Sequence, residues 1–279
     1  MSQALAAPAP LASVILAQFR LMILGLRLEA ALVLGFITVI SLAVATGYIE
    51  PGPTLDFAVV PVALMFVAGF ALPWTLWKQT PAFGPTPFAA MPIGRHGHMI
   101  ARSAAGWMWA MVAVAIVLVW VGLLAVSTTG EIVLSEARRL VSDPLAGPAE
   151  RMAPWWTYVT PFAAVTVSYG LGTAWVLGLR RPAVWLIGIV VAALVGLELG
   201  PDDMFSRALQ WLGIGPVGLD HLVTGGLERL DVELTLPDGS RVIAWSRLPK
   251  FQDWILALLF WAAVTFSAVT VALLRPRDV

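Results

Sequence analysis

FAAMPIGRHGHMIARSAAGWMWAMVAVAIVLV runs from Phe88 to Val119. Its first part carries Arg95, His96, His98 and Arg102 with no acid, and Pro92 and Gly94 break it. Small residues then lead into an apolar run without a charge from Ser103 to Val119. Arginine at the centre of a membrane helix costs about 2.5–3.5 kcal/mol, so cations and long apolar runs separate along a membrane chain. The stretch therefore reads as a basic turn in water that feeds a helix into a bilayer. Its side of the membrane depends on the rest of the chain.

The rest of the chain agrees with that environment. Hydrophobic residues make up 59% of it and charged residues only 12%, with a mean hydropathy of +0.85. A soluble domain carries about twice that share of charge. Seventeen bases balance seventeen acids, so bulk charge points to no nucleic-acid partner. The absence of cysteine excludes disulfides, thiolate catalysis and cysteine-ligated metals. The N-terminal MSQALAAPAP lacks the basic region of a cleavable signal and is expected to remain.

Six stretches are long and apolar enough to be spans: Ala30–Ile49, Phe57–Trp77, Ser103–Ser127, Trp155–Leu179, Pro182–Gly200 and Trp254–Leu274. Tyr48, Trp74, Trp77, Trp155, Trp156 and Trp254 stand near their ends, where an interfacial aromatic belt is expected. Pro61, Pro73 and Pro161 fall inside spans as expected kinks. Before the first span, residues 10–28 place Ser13, Arg20 and Arg27 on one stripe of an otherwise apolar helix. That pattern predicts a helix lying in the membrane interface.

Short loops orient the chain. The Arg180–Arg181 turn is purely basic, and the turn from Glu50 to Asp56 is purely acidic. By the positive-inside rule both termini are cytosolic, which suits a plasma (inner) membrane. The cytosolic side then holds Arg20, Arg27, Lys78, Arg95, Arg102, Arg180, Arg181, Arg275 and Arg277 against only Glu29 and Asp278. Two external segments remain. EIVLSEARRLVSD (131–143) predicts an amphipathic helix. The segment 201–250 predicts a helix over PDDMFSRALQWLG and a β-hairpin over DVELTLPDGSRVIAWS, turning at Asp238–Gly239.

The missing chemistry narrows the function. A phosphate-cradling P-loop ends in Lys-Ser or Lys-Thr, but Lys78 precedes Gln79 and Lys250 precedes Phe251. Acids at membrane depth mark proton paths, and Glu198 alone lies in a span, near its outer end. His96, His98 and His221 fall on two sides of the membrane, so they do not build one metal site. Each reads as a solvated loop histidine. Gly188, Ala192 and Gly196, four residues apart, form a flat face for close helix packing in the fifth span.

The quoted stretch resembles the cytosolic segment of membrane subunits of type-2 class ABC exporters. Those commonly read as an apolar residue, Pro, a small or apolar residue, Ser and Arg before a helix that runs into the third span. Met91, Pro92, Ile93 and Arg95 match that pattern, and Arg102, Ala104 and Gly106 match the helix beyond it. Gly94 stands where serine is usual, and His96 where arginine is frequent.

The resemblance implies one permease domain over residues 1–279, with an interfacial helix at 10–28, a coupling segment at 78–102 and an external insertion at 201–250. It implies an all-α polytopic membrane protein with six transmembrane helices and a small external α/β-hairpin insertion between spans five and six. Its ATPase-coupling residues would be Pro92, Arg95, His96, His98 and Arg102. Partners would be separately encoded ABC ATPase subunits, which bind ATP and Mg, a second permease copy or a related permease, and membrane lipids. No catalytic residue, cofactor or metal is expected in this chain. The cargo would be hydrophobic or amphipathic. The competing reading is a membrane-embedded enzyme or scaffold acting on lipid or polymer substrates, with Asp202, Asp203, Asp220, Asp231 and His221 as its only candidate cluster.

Overall fold

Backbone groups in hydrocarbon must satisfy one another, and a helix does so within one segment. Helix accordingly dominates the computed structural model, which describes residues 10–48, 59–79, 95–129, 137–139, 150–152, 155–198, 204–226, 231–235, 241–245 and 250–274. The helices are α1 (Leu11–Gly25), α2 (Arg27–Ala45), α3 (Val59–Gln79), α4 (Arg95–Thr129), α5 (Thr160–Gly178), α6 (Pro182–Glu198), α7 (Met204–Ile214), α8 (Leu219–Thr224) and α9 (Phe251–Leu274). α4 and α9 are each long and apolar enough to cross a membrane. α5 and α6 meet that test only as a pair, with a bend of 120° between them.

The buried clusters fix the directions of the helices. Trp77 at the end of α3, Met99 at the start of α4, Leu177 at the end of α5 and Ala272 at the end of α9 pack together. At the opposite end Val62, Ala164, Leu222, Ala257 and Trp261 form a second cluster. α3, α5 and α9 therefore run one way and α4 the other. The Trp120 indole on α4 donates to Ser41 Oγ on α2 at 2.9 Å, late in both helices, so α2 runs with α4. Arg27, Arg102, Arg180 and Arg181 then fall at one end of the bundle, whereas Asp220 and Asp253 fall at the other. One end of the bundle is basic, whereas at the other Asp220 and Asp253 share the end with Lys250.

α5 is the hub. It packs on α3, α4 and α9 through two rows of small residues. A side chain at Gly172 would strike the backbone carbonyl of Phe70 on α3, and one at Gly170 would strike Thr265 on α9. Gly69 on α3 faces Ser168 and Val165 in the same way. Ala164, Ser168 and Gly172 thus repeat every four residues, as do Gly170, Ala174 and Gly178. Rows of small residues let helix backbones approach this closely.

Several expectations need correction. Pro161 lies in the first turn of α5, where no helical donor is lost. Pro61 lies in the first turn of α3, which leaves Pro73 as the interior proline there. Trp77 and Trp254 are buried within the bundle, whereas Tyr48 and Trp155 are exposed as an interfacial belt requires. Within 131–143 the described residues, Ala137–Arg139, form a strand (β1) paired antiparallel with β2, Glu150–Met152. Arg139 stands opposite Glu150 in the register. Further along, β3 (Asp231–Thr235) pairs antiparallel with β4 (Arg241–Trp245). The expected turn at Asp238–Gly239 lies outside the described residues.

α1 exposes Arg20 and Arg27 borders it, also exposed, while Val14, Gln18 and Met22 are buried. Its Phe19 ring stacks on Trp109 of α4 at 4.7 Å, and the Trp109 indole donates to the Phe19 carbonyl at 2.9 Å. α1 is thus attached to α4, while Leu11, Leu16, Leu21 and Ile23 are exposed beside Arg20.

Candidate coupling site at the basic end

The basic turn and the third apolar stretch form one element. α4 begins at Arg95 and continues for 35 residues to Thr129, a length of about 52 Å at 1.5 Å per residue. That exceeds the roughly 30 Å of a hydrocarbon core. With the apolar run starting at Ser103, the first eight residues project about 12 Å beyond it at the same rise. The short surface helix expected for GRHGHMIAR is the first two turns of α4.

Along those turns the side chains divide. His96 and Ile100, one turn apart, are exposed, His98 is half-buried and Met99 is buried. Arg102 is only 6% exposed. Its guanidinium donates to the Leu76 carbonyl in the last turn of α3 and lies 5.3 Å from the centroid of the Trp77 ring. The last turn of a helix carries unpaired carbonyls and a partial negative charge, and an indole face attracts a cation. Together they hold a charge that burial would otherwise make costly. Arg102 therefore fastens α4 to α3 and is not a surface contact.

A second tie lies one turn on. The Tyr169 hydroxyl of α5 donates to the Ser103 carbonyl at 2.9 Å, over Gly106, where any side chain would strike that hydroxyl. The first turns of α4 are thus linked to both α3 and α5. Pro92 and the side chain of Arg95 lie outside the described residues.

The opposite end carries a different device. α8 packs against α3, α5 and α9, with Leu222 fully buried. The Trp261 indole donates to the Val217 carbonyl at 2.8 Å, and the Trp156 indole to the Gly225 carbonyl at 3.0 Å. Gly225 and Gly226 have positive φ and end α8 as glycine allows. His221, expected in a solvated loop, is 7% exposed with no partner for Nδ1. Burial raises the Asp220 pKa, with His221 pulling the other way. Asp202 and Asp203 lie outside the described residues. Among the described residues, no group of three His, Asp or Glu could hold a metal.

No family model, curated protein or solved structure matches the chain. The functional reading therefore rests on its own residues.

Among the described residues, the expected packing face on α6 has no close partner at Gly188. Gly188 and Ala192 are exposed, and a side chain at Gly188 would meet nothing within 4 Å. Nothing is described around Gly196. The close contacts are instead made by Gly69, Gly106, Gly170 and Gly172. In α5 the same four-residue spacing was present in the sequence. Ile100 was missed because the sequence of the coupling segment does not show which of its apolar residues the neighbouring helices leave exposed.

Proposed function

We propose that this chain is the pore-forming permease subunit of an ABC exporter for a hydrophobic or amphipathic cargo, driven by a separately encoded ATPase. In this reading six helices cross the membrane (α2, α3, α4, α5, α6 and α9) with the basic end in the cytosol. α1 lies along the interface, and the segment 201–250 covers the outer side. The observation that carries the reading is the continuity of α4. A rigid helix that starts outside the apolar zone, exposes His96 and Ile100, and is tied to α3 and α5 deeper in can carry a push from a docked partner into the bundle.

The lack of a Lys-Ser or Lys-Thr P-loop accords with nucleotide hydrolysis in another subunit. The exposed apolar faces of α2 and α6 accord with contact to lipid or to a second permease. The test is purification from native membranes in mild detergent, followed by mass spectrometry. The reading predicts an ATPase carrying Walker motifs at stoichiometric level. Recovery of the chain with no ATPase would refute it.

A further inference from the structure

α3, α5 and α9 border an open groove of about 560 Å³, lined by Phe70 of α3, by Leu171, Trp175 and Leu179 of α5 and its C-terminal cap, and by Ser267 and Val271 of α9. Its lining includes no charged residue. From Leu171 to Leu179 it runs about 12 Å along α5, close to the roughly 15 Å thickness of one leaflet's hydrocarbon. It ends at Leu179, and the next two residues are the exposed Arg180 and Arg181. The sequence holds no acid from Pro154 to Leu197 or from Trp254 to Arg277, so neither wall supplies a counter-charge. The Trp175 indole donates to the Pro182 carbonyl at 3.0 Å, which anchors the arginine turn to the groove wall.

We propose that this groove binds an anionic phospholipid of the bilayer, with an acyl chain against α5 and α9 and the headgroup phosphate on Arg180 and Arg181. An apolar channel one leaflet deep with paired cations at its mouth matches both halves of that molecule. A helix from a second copy fits less well. The small residues that would admit it are already engaged with each other, as Gly178 is with Ala272. A two-fold partner would also bring a second arginine pair to the same level. The inference requires a membrane but no partner ATPase, so it stands or falls separately from the transport reading.

The test uses the full chain in nanodiscs of mixed phosphatidylglycerol and phosphatidylcholine, released for native mass spectrometry. The wild-type protein should retain phosphatidylglycerol over phosphatidylcholine by on the order of tenfold relative to the supplied mixture. Arg180→Gln with Arg181→Gln should bring that ratio close to that of the mixture, while Arg180→Lys with Arg181→Lys keeps most of it. Val271→Trp, placed on the exposed wall, should fill the groove and abolish retention of both lipids. Undiminished preference in the double glutamine variant, or undiminished retention in Val271→Trp, would overturn the assignment. The arginines and Val271 are exposed, so an unchanged melting temperature is expected for all three variants.

Discussion

Arg102 on α4 donates to the carbonyl of Leu76 on α3 and lies against the ring of Trp77. This link joins the start of the 35-residue α4 to the last turn of α3. An axial shift of α4 would have to break this contact or carry the end of α3 with it.

Removing the charge should loosen that joint. Arg102→Gln gives up a charge-assisted hydrogen bond and the cation–indole contact, a loss on the order of 2–3 kcal/mol. Arg102→Lys should lose less, since it keeps the charge but not the planar fork. Thermal unfolding in detergent should order the proteins as wild type, Lys and Gln. Equal melting temperatures would mean that the contact is incidental.

The hub helix makes a sharper prediction. Gly172→Ala places a methyl against the Phe70 backbone carbonyl, which cannot yield as a side chain can. The expected cost is roughly 1–3 kcal/mol. Gly188→Leu points into open space and should leave the melting temperature of the isolated chain unchanged. The opposite ranking would show that α6, not α5, makes the close contacts.

Asp220 gives a pH dependence whose sign is set by burial. Its pKa in the folded protein is raised above the ordinary 3.8 because desolvation opposes the charged form. The stability it contributes is therefore present below that value, and is lost as pH rises through the raised one. Comparing wild type with Asp220→Asn from pH 4 upward should show a fall in wild-type stability that the variant lacks. Parallel curves would assign the fall to other groups.

Much of the architecture was legible because hydrocarbon leaves few solutions. Apolar length placed helices over all six stretches, from Ala30–Ile49 to Trp254–Leu274, and loop charge anticipated the basic end. Among the described residues, however, only α4, α9 and the bent α5–α6 pair are long and apolar enough to cross a membrane, while the apolar parts of α2 and α3 are shorter. What failed was the choice between equivalent surfaces. Ala164, Ser168 and Gly172 have the same spacing as Gly188, Ala192 and Gly196. Spacing shows that a helix has a flat face, but not that another helix lies on it. Arg102, Trp77 and His221 failed for a related reason. A polar residue at a span boundary looks solvated until the neighbouring helix end is known, and only the tertiary fold brings the Leu76 carbonyl to Arg102.

Orientation can be read by chemical access. Cysteines placed at Gly52 and Gly239 should react with an impermeant thiol reagent added to intact cells, and one at Gly97 should react only after lysis. Labelling at Gly97 from outside would reverse the topology and remove the basis for coupling.

The most direct test of the account is the paired measurement of ATPase association and transport in Arg95→Glu. If the start of α4 docks on an ATPase through a buried ion pair, charge reversal should cost on the order of 2–5 kcal/mol of association. Ser103→Ala serves as the control, because its buried hydroxyl has no hydrogen-bond partner to lose. The account predicts normal membrane abundance for both variants, with ATPase co-purification and transport lost in Arg95→Glu and kept in Ser103→Ala. An Arg95→Glu protein that retains full ATPase association and full transport would contradict it.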